Sequence, residues 1–260
     1  MLEGKRIVVT GVSSGIGAET AAELKRQGAT IVGVDRNPTE DVDEFHKVDL
    51  TDREGVDAFV DGTEGPIHGL CNIAGLPPTA PAEAVLTVNA LALRFLTETL
   101  VEKMEDGSSI THLASMAGMG WQQSINEIKE FMGYQLGDDV AAFVDKHKMR
   151  TDGRGYFFTK EFIQVWTFTN RWTWRERGIR MNCVSPGPVD TPILQDFIET
   201  LGERAEEDMR IMDRPGLPTD VAPVVAFLQS DASNWFRGAN LTLDGGMSSH
   251  IMMHTTGFEE

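Results

Sequence analysis

Tyr156 and Lys160 stand four residues apart in Tyr-Phe-Phe-Thr-Lys, a spacing that puts both side chains on one face of a helix. A free phenol has a pKa of about 10, so it works as an acid or base near neutrality only where a nearby cation favours its ionised form. The lysine supplies that cation, and the pair suits proton transfer to or from an oxygen. The sequence holds only 2 tyrosines, and Tyr134 is followed four residues later by Asp138 rather than a cation. Taken alone, a tyrosine and a lysine at helical spacing are usually a solvated face, so the reading depends on what accompanies them.

What accompanies them begins at the N-terminus. Arg6 to Thr10 is a β-branched run that ends at Gly11, and Gly11-Val12-Ser13-Ser14-Gly15-Ile16-Gly17 leads into a helical pattern that stops near Gly28. Strand, glycine-rich turn and helix in that order make an anion site, because the backbone can approach a pyrophosphate and the helix start offers unpaired N–H groups. The second strand, Thr30 to Val34, ends at Asp35, whose carboxylate can accept both hydroxyls of an adenosine ribose and repel a 2′-phosphate. This favours NAD over NADP, although Arg36 next to it could take a phosphate.

Further strands are read at Phe45 to Val48, closed by Asp49-Leu50, at His68 to Ile73, followed by Ala74-Gly75, and at Ser108 to Leu113, leading to Ser115. Between the last two, Val85 to Met104 has the spacing of a long buried helix and carries Asn89 near its start. Met116 to about Arg150 is mixed and charged, with short helices at Gln123 to Met132 and Asp138 to His147. Tyr156 opens a long helix expected to stop near Gly178. Ile179 to Val184 is the sixth strand, and the loop from Ser185 through Pro186-Gly187-Pro188-Val189-Asp190-Thr191-Pro192 is broken by prolines that should end the strand and fold it over the cofactor end of the sheet. Residues 193 to 214 read as a polar-surfaced helix in a mobile segment, Thr219 as the cap of a helix to Gln229, and Ala239 to Leu243 as the last strand. Near-continuous apolar strands alternating with helices mean a parallel sheet covered on both faces, with ligands beyond the carboxyl ends of its strands. The expected fold is a Rossmann-type, doubly wound α/β domain of seven parallel strands, single over residues 1–260, with an insertion at about 119–150 and a substrate loop at about 188–214.

Composition agrees with one domain: 260 residues, 41% hydrophobic, without a linker-like stretch. A formal net charge of −17 argues against nucleic acid or an anionic membrane as partner. The start of the chain has no apolar leader and no run of about 20 apolar residues follows, so a cytoplasmic protein is expected. Cys71 and Cys183 sit in apolar strand-like runs as free thiols, and no histidine has zinc-ligand spacing, so no metal site is expected.

With these pieces in place, the sequence resembles the short-chain dehydrogenase/reductase family along essentially its whole length. Thr10-Gly11 through Gly15-Ile16-Gly17 resembles the family's cofactor fingerprint, and Asn72-Ile73-Ala74-Gly75 its Asn-Asn-Ala-Gly element. Asn89, Ser115, Tyr156 and Lys160 match its catalytic tetrad, and Pro186-Gly187 with Val189 and Thr191 its nicotinamide loop. The resemblance implies NAD as cofactor, Tyr156 as the acid/base, Ser115 as a hydrogen-bond donor to the substrate oxygen, and Asn89 as a support for Lys160 through backbone and water. The 41 residues from Ser115 to Tyr156 exceed the interval in most members and are similar to the hydroxysteroid dehydrogenase/carbonyl reductase branch. The wording of the fingerprint, of Gly-Leu-Cys-Asn-Ile-Ala-Gly and of Arg-Met-Asn-Cys-Val-Ser-Pro-Gly-Pro-Val is closer to the bacterial coniferyl-alcohol dehydrogenase subfamily.

Met116, Met119, Trp121, Pro188, Ile193, Leu194 and Phe197 are expected to wall the substrate pocket, with Leu76 beside them. Bulky apolar walls favour an aromatic or alicyclic alcohol or ketone over a small hydroxy acid. An aromatic allylic alcohol is the first expectation and a ring ketone or hydroxysteroid the second. A cofactor-sensing binding protein without turnover is the reading from another class. Because the insertion lies between the helix ahead of strand five and the tyrosine helix, a homodimer through the 220 to 229 helix and the last strand is expected, with a tetramer as the alternative and the insertion as pocket wall or cap.

Overall fold

A computed structural model of the chain describes residues 1–202 and 210–258. The part of the 193 to 214 segment at 203–209 lies outside the described residues. Seven parallel strands form one sheet in the order β3-β2-β1-β4-β5-β6-β7: β1 (Arg6–Thr10), β2 (Thr30–Asp35), β3 (Glu44–Lys47), β4 (Ile67–Asn72), β5 (Met104–Leu113), β6 (Arg180–Pro186) and β7 (Asn240–Leu243). The order reverses between β1 and β4, the switch point where such sheets open a crevice.

Alternation along β1 shows why both faces are covered. Ile7 and Val9 pack on one side with Ala21 and Leu24 of α1 (Gly15–Arg26) and with Val221 and Val225 of a helix at Pro218–Gln229. Val8 joins the other cluster with Val56, Leu96 and Phe162. These come from α2 (Arg53–Gly62), from α4 (Leu93–Leu100) and from α7 (Arg154–Thr169), the helix that carries Tyr156 and Lys160. Side chains leave a strand to alternate faces, so one run of apolar residues feeds two cores.

Several boundaries differ from the sequence reading. The helix before β5 begins at α3 (Ala82–Leu86) and passes through a π-helical turn, Thr87–Ala92, before α4. The stretch Ala82–Lys103 is long and apolar enough to cross a membrane by length and composition, contrary to the expectation of no such run; 72% of that window is buried in the protein, the setting of a core helix. α7 ends at Thr169 rather than near Gly178, because the Asn170 side chain donates to the Trp166 carbonyl at 2.9 Å and closes the last turn. β6 continues to Pro186, which pairs with Leu243. Its missing N–H costs nothing there, since the ladder is carried on by Gly187, whose N–H donates to the Leu243 carbonyl. The cap at the 218 helix is Leu217 rather than Thr219, with Pro218 at the first helical position and the Asp220 carboxylate accepting the Leu217 N–H.

The insertion folds as two short helices, α5 (Ile125–Phe131) and α6 (Ala141–Lys146), packed on the far side of α7. Phe131 meets Phe158 and Phe162 edge-on at 5.3 and 5.4 Å, and Phe143 lies 5.3 Å from Phe158. Arg94 on α4 is buried and donates to the Met132 and Tyr134 carbonyls, pinning the insertion to that helix as well. Beyond β6 follow α8 (Pro192–Leu201), α9 (Pro218–Gln229) and α10 (Met247–Thr255).

Candidate active site

The turn after β1 is drawn tight around the start of α1. A Cβ on Gly17 would lie 2.0 Å from the Gly11 carbonyl oxygen, so only glycine lets the helix begin that close to the strand. Thr10 braces the turn from below, its hydroxyl accepting the Ile73 and Ala74 N–H groups at 3.0 Å each. Asp35 braces it from the side: its carboxylate accepts the Ser13 N–H at 3.1 Å, the Ser13 hydroxyl at 2.8 Å and the Asn37 N–H at 2.9 Å.

Beside this turn runs a groove of about 320 Å³. It is lined by the expected Gly11, Ser13, Ser14, Gly15, Ile16 and Gly17, by Asp35, Arg36, Asp49 and Leu50, by Ala74 and Gly75, and by Thr191 from the loop after β6. Asn72 is not part of it. Its side chain points into the core, donating to Thr97 at 2.9 Å and to His112 Nδ1 at 3.1 Å, so it ties β4 to α4 and β5. His112, fully buried, is pushed down to about 3 and is neutral there.

The groove opens into a pocket of about 220 Å³ that shares Ile16, Gly75, Leu76, Leu113, Thr191 and Ile193 with it. Ser115, Tyr156 and Lys160 reach this pocket together, as do Pro186, Gly187 and Val189 of the loop after β6. Ser115 starts a 3-10 turn, its hydroxyl accepting the Ala117 N–H at 3.1 Å. Tyr156 is 8% exposed, and burial pushes its phenol above the ordinary value while the hydrogen bond with Ser115 pulls the other way. Burial pushes the Lys160 ammonium down to about 7, and its Nζ donates to the Leu113 carbonyl at 2.8 Å. The expectation that the lysine holds the phenol low therefore does not describe the protein by itself: desolvation is the larger effect on both groups.

Asn89 sits in the π-helical turn, a local widening often found at functional sites. Its amide grips one residue from both sides, accepting the Leu76 N–H at 2.7 Å and donating to the Leu76 carbonyl at 3.0 Å. The side chain thus fixes the loop where groove and pocket meet.

Of the expected substrate walls, Met116, Pro188, Ile193, Leu194 and Phe197 line the pocket. Met119 and Trp121 do not. Met119 is 39% exposed, and Trp121 packs edge-on against Phe168 of α7 at 5.9 Å, because the insertion that carries it is turned toward the aromatic back of that helix. The walls missed by sequence are Phe157, Ile198 and Ile251; Met247, which opens a methionine-bearing tail that the sequence offers as ordinary packing or as a pocket wall, lines the pocket too. Met247 and Ile251 are four residues apart on α10, a helical spacing visible in the sequence, but nothing local shows that the tail folds back over the sheet. Phe197 lies 4.9 Å from Tyr156 at an interplanar angle of 87°, so α8 roofs the phenol.

A crevice at the switch point, holding a glycine turn and an acid/base-capable tyrosine, defines a dinucleotide-fold oxidoreductase. Residues 5–126 match the family model described as short chain dehydrogenase, and residues 141–248 the one described as Enoyl-(Acyl carrier protein) reductase, leaving 127–140 of the insertion between them. The chain is 41% identical over 251 residues to a coniferyl-alcohol dehydrogenase of Pseudomonas sp. strain HR199, covering 95% of this chain and 98% of that protein. It is 26% identical over 248 residues to the 3-alpha-hydroxysteroid dehydrogenase/carbonyl reductase of Comamonas testosteroni, covering 94% and 96% of the two chains. A crystal structure of 3-alpha-hydroxysteroid dehydrogenase from Pseudomonas sp. B-0831, complexed with NADH, matches with a TM-score of 0.80 at 28% identity, covering 95% of this chain and 98% of that one. The chain belongs to the short-chain dehydrogenase/reductase family and is an oxidoreductase.

Proposed function

We propose that this enzyme transfers hydride between NAD and an apolar aromatic alcohol of the coniferyl type, or the corresponding carbonyl compound, with Tyr156 as the acid/base. The observation that carries this is the pocket itself. Among the described residues its only charged lining residue is Lys160, and its walls are Phe157, Phe197, methionines and branched aliphatics, which suit an aromatic ring and include no arginine that would hold a substrate carboxylate. Arg150 and Arg154, the two nearest in sequence to Tyr156, are engaged elsewhere, with Glu83 and Asp145 and with Ser124 and Glu161. A hydroxysteroid or ring ketone is the second reading, supported by the similarity to the Comamonas testosteroni enzyme.

The groove fits a dinucleotide: its lining includes the glycine turn from Gly11 to Gly17, Gly17 lets the helix start lie close to strand β1, and Asp35 lines it at the end of β2. Gly11 to Gly17, Asp35 and the Thr191 loop would hold NAD, which would accept the hydride from the carbinol carbon. The protein's own part is the proton. Tyr156 takes it from the substrate hydroxyl as the carbonyl forms and returns it in the reverse direction, while Ser115 donates a hydrogen bond to the same oxygen. Because burial holds the phenol up, it is protonated in the resting enzyme, ready for carbonyl reduction; alcohol oxidation needs the phenolate and is favoured at alkaline pH. Lys160 favours that phenolate when charged, and Asn89 keeps the junction loop fixed for it.

The test is side-by-side turnover of coniferyl alcohol and a 3α-hydroxysteroid with NAD and NADP, in wild type and Tyr156→Phe. Turnover of coniferyl alcohol with NAD that is lost in the variant, with NADH affinity retained, is the expected result. Near-normal activity of the variant would remove Tyr156 from the mechanism, and tight NADH binding without turnover of any alcohol would favour the cofactor-sensing reading.

A homodimer belongs to the same proposal. Trp235 is 96% exposed and Phe236 37% exposed in the turn between the Pro218–Gln229 helix and edge strand β7, whereas the insertion packs on α4 and α7. Light scattering giving a stable tetramer would count against the covering role.

A further inference from the structure

Gln164 stands one helical turn beyond Lys160 and two beyond Tyr156 on α7, so the three share one stripe. It is 2% exposed, lines neither cavity, and carries a buried amide that a helix facing a sheet has no packing reason to hold. One of its atoms makes two contacts, 3.0 Å to the Ser115 carbonyl oxygen and 3.1 Å to the Ser185 hydroxyl. A carbonyl only accepts, so this atom is the amide nitrogen and each of its two hydrogens has an acceptor. The Ser185 hydroxyl passes the chain on, donating to Asn240 Oδ1 at 2.7 Å on β7.

The Ser115 carbonyl receives a second bond, from the Gly118 N–H at 3.0 Å. Both of its lone pairs are then in use. Gly118 makes the approach possible: a Cβ there would sit 2.6 Å from the Gln164 amide nitrogen and 2.6 Å from the Lys160 carbonyl oxygen. The 3-10 turn that starts at Ser115 is thereby seated directly on α7. By contrast, the Ser115 hydroxyl meets the backbone loosely, accepting one N–H at 3.1 Å and reaching the Pro186 carbonyl only at 3.4 Å, and its other hydrogen bond is with Tyr156.

We propose that Gln164 is a positioning residue that fixes Ser115 against Tyr156 through the Ser115 backbone, with the catalytic helix as the common ruler. The proposal rests on the role given to Ser115 above. The helix that carries the acid/base also carries the amide that sets the distance and direction of its hydrogen-bonding neighbour. A misplacement of the order of 1 Å at such a site can cost on the order of 100-fold in rate, so loss of one of two anchors should cost about 10-fold.

The experiment is a double-mutant cycle with Gln164→Met, Ser115→Ala and the pair, reading kcat, NADH affinity by titration, and Tm. Gln164→Met is expected to lower kcat about 10-fold with NADH affinity within about twofold of wild type, and to add nothing further in the Ser115→Ala background. Multiplication of the two losses, or a loss of NADH affinity that matches the loss of kcat, overturns the proposal and leaves Gln164 as a strut. Wild-type activity in Ser115→Ala would instead overturn the role of Ser115 itself. If Gln164→Met does not fold, Gln164→Glu, nearly isosteric, asks the same question. Its acid form still donates one hydrogen bond and its carboxylate none, so its activity relative to wild type should fall as pH rises through the glutamate pKa. A flat ratio over that range overturns the proposal.

Discussion

Lys160 Nζ stands 5.4 Å from the centre of the Tyr156 ring, yet its hydrogen bond goes to the Leu113 carbonyl, 2.8 Å away. The two groups are coupled through space, and both have lost water. Burial moves the phenol up and the ammonium down, so each drifts toward its neutral form. This gives a stability signature independent of any substrate. In the unfolded chain a lysine titrates near about 10.4, and in the folded protein Lys160 titrates at about 7. Between those values unfolding takes up a proton, so stability rises with pH; below about 7 the full cost of the buried charge is borne. The slope approaches about 1.4 kcal/mol per pH unit. Cys183, beside Lys160 and pushed up to about 12, acts with the opposite sign once unfolded thiols ionise near about 8.5, and Tyr156 does so higher still. Urea midpoints of wild type and Lys160→Met between pH 7 and 8.5 therefore isolate the lysine. The wild type should gain on the variant by roughly 1–2 kcal/mol across that window; parallel profiles would contradict the shift.

Asp35 has two tasks that one substitution separates. Its Oδ2 accepts both the Ser13 N–H and the Ser13 hydroxyl, so it shapes the glycine turn as well as facing the groove. Asp35→Ala is expected to weaken NAD binding about 10-fold by loosening the turn and removing ribose acceptors. The same change removes the repulsion of a 2′-phosphate next to Arg36, so the ratio of NAD to NADP efficiency should fall further than NAD binding does. Asp35→Asn keeps part of the Ser13 contact and should relax the ratio with a smaller loss of NAD affinity. Initial rates with both cofactors check this, and equal use of NADP by the wild type would contradict the role.

The order of strands and the glycine turn were legible because each is local: β-branched runs ended by Gly11, Asp35 and Ser115 need only the alternation of a covered strand. The meeting of Tyr156 and Lys160 on one helix face was legible for the same reason, since they are one helical turn apart. What failed was everything set by long-range packing. Trp121 reads as a pocket wall by composition, but Phe131, Phe143 and Phe158 form an aromatic cluster that draws the insertion to the back of α7. Asn72 reads as a cofactor contact by its place in a motif, but strand alternation turns its side chain toward His112. Met247 and Ile251 join the pocket through a tail whose course no local pattern reveals. The desolvation of Tyr156 and Lys160 is likewise a property of the assembled core.

Phe197 forms the roof of the pocket, edge-on to Tyr156 at 4.9 Å. An aromatic edge contact contributes about 1 kcal/mol beyond its buried area, and an aromatic substrate entering beneath the roof would gain a similar contact. Phe197→Ala should raise KM for aromatic alcohols by roughly 10-fold, with a smaller effect on small aliphatic alcohols. The same helix is tied to the loop after β4 by the Thr79 hydroxyl, which donates to Asp196. Both partners are water-accessible, so Thr79→Val should change KM by less than about fivefold. A larger effect from Thr79 than from Phe197 would show that the tether, rather than the roof, governs substrate binding.

Arg94 tests whether the insertion is held as a unit with the sheet. It is 4% exposed, and burial pulls its guanidinium below the ordinary value, opposed by Glu98 and Asp138. It donates to the Met132 and Tyr134 carbonyls from the first turn of α4. Removing it leaves two carbonyls of the insertion facing an apolar helix, at a cost of about 2–4 kcal/mol. Arg94→Leu fills the space without the donors, so the loss measured by chemical denaturation is chiefly that of the hydrogen bonds. Because α5 packs on α7 through Phe131 independently of Arg94, the helix that carries Tyr156 should keep its place and kcat should stay within about twofold of wild type. Protease cleavage confined to residues 132–139 in the variant, with activity retained, would show the insertion loosened while the site stands. Loss of kcat in step with stability would mean instead that the insertion helps to set Tyr156 through α7, and that its place on the back of the helix matters to the chemistry on the front.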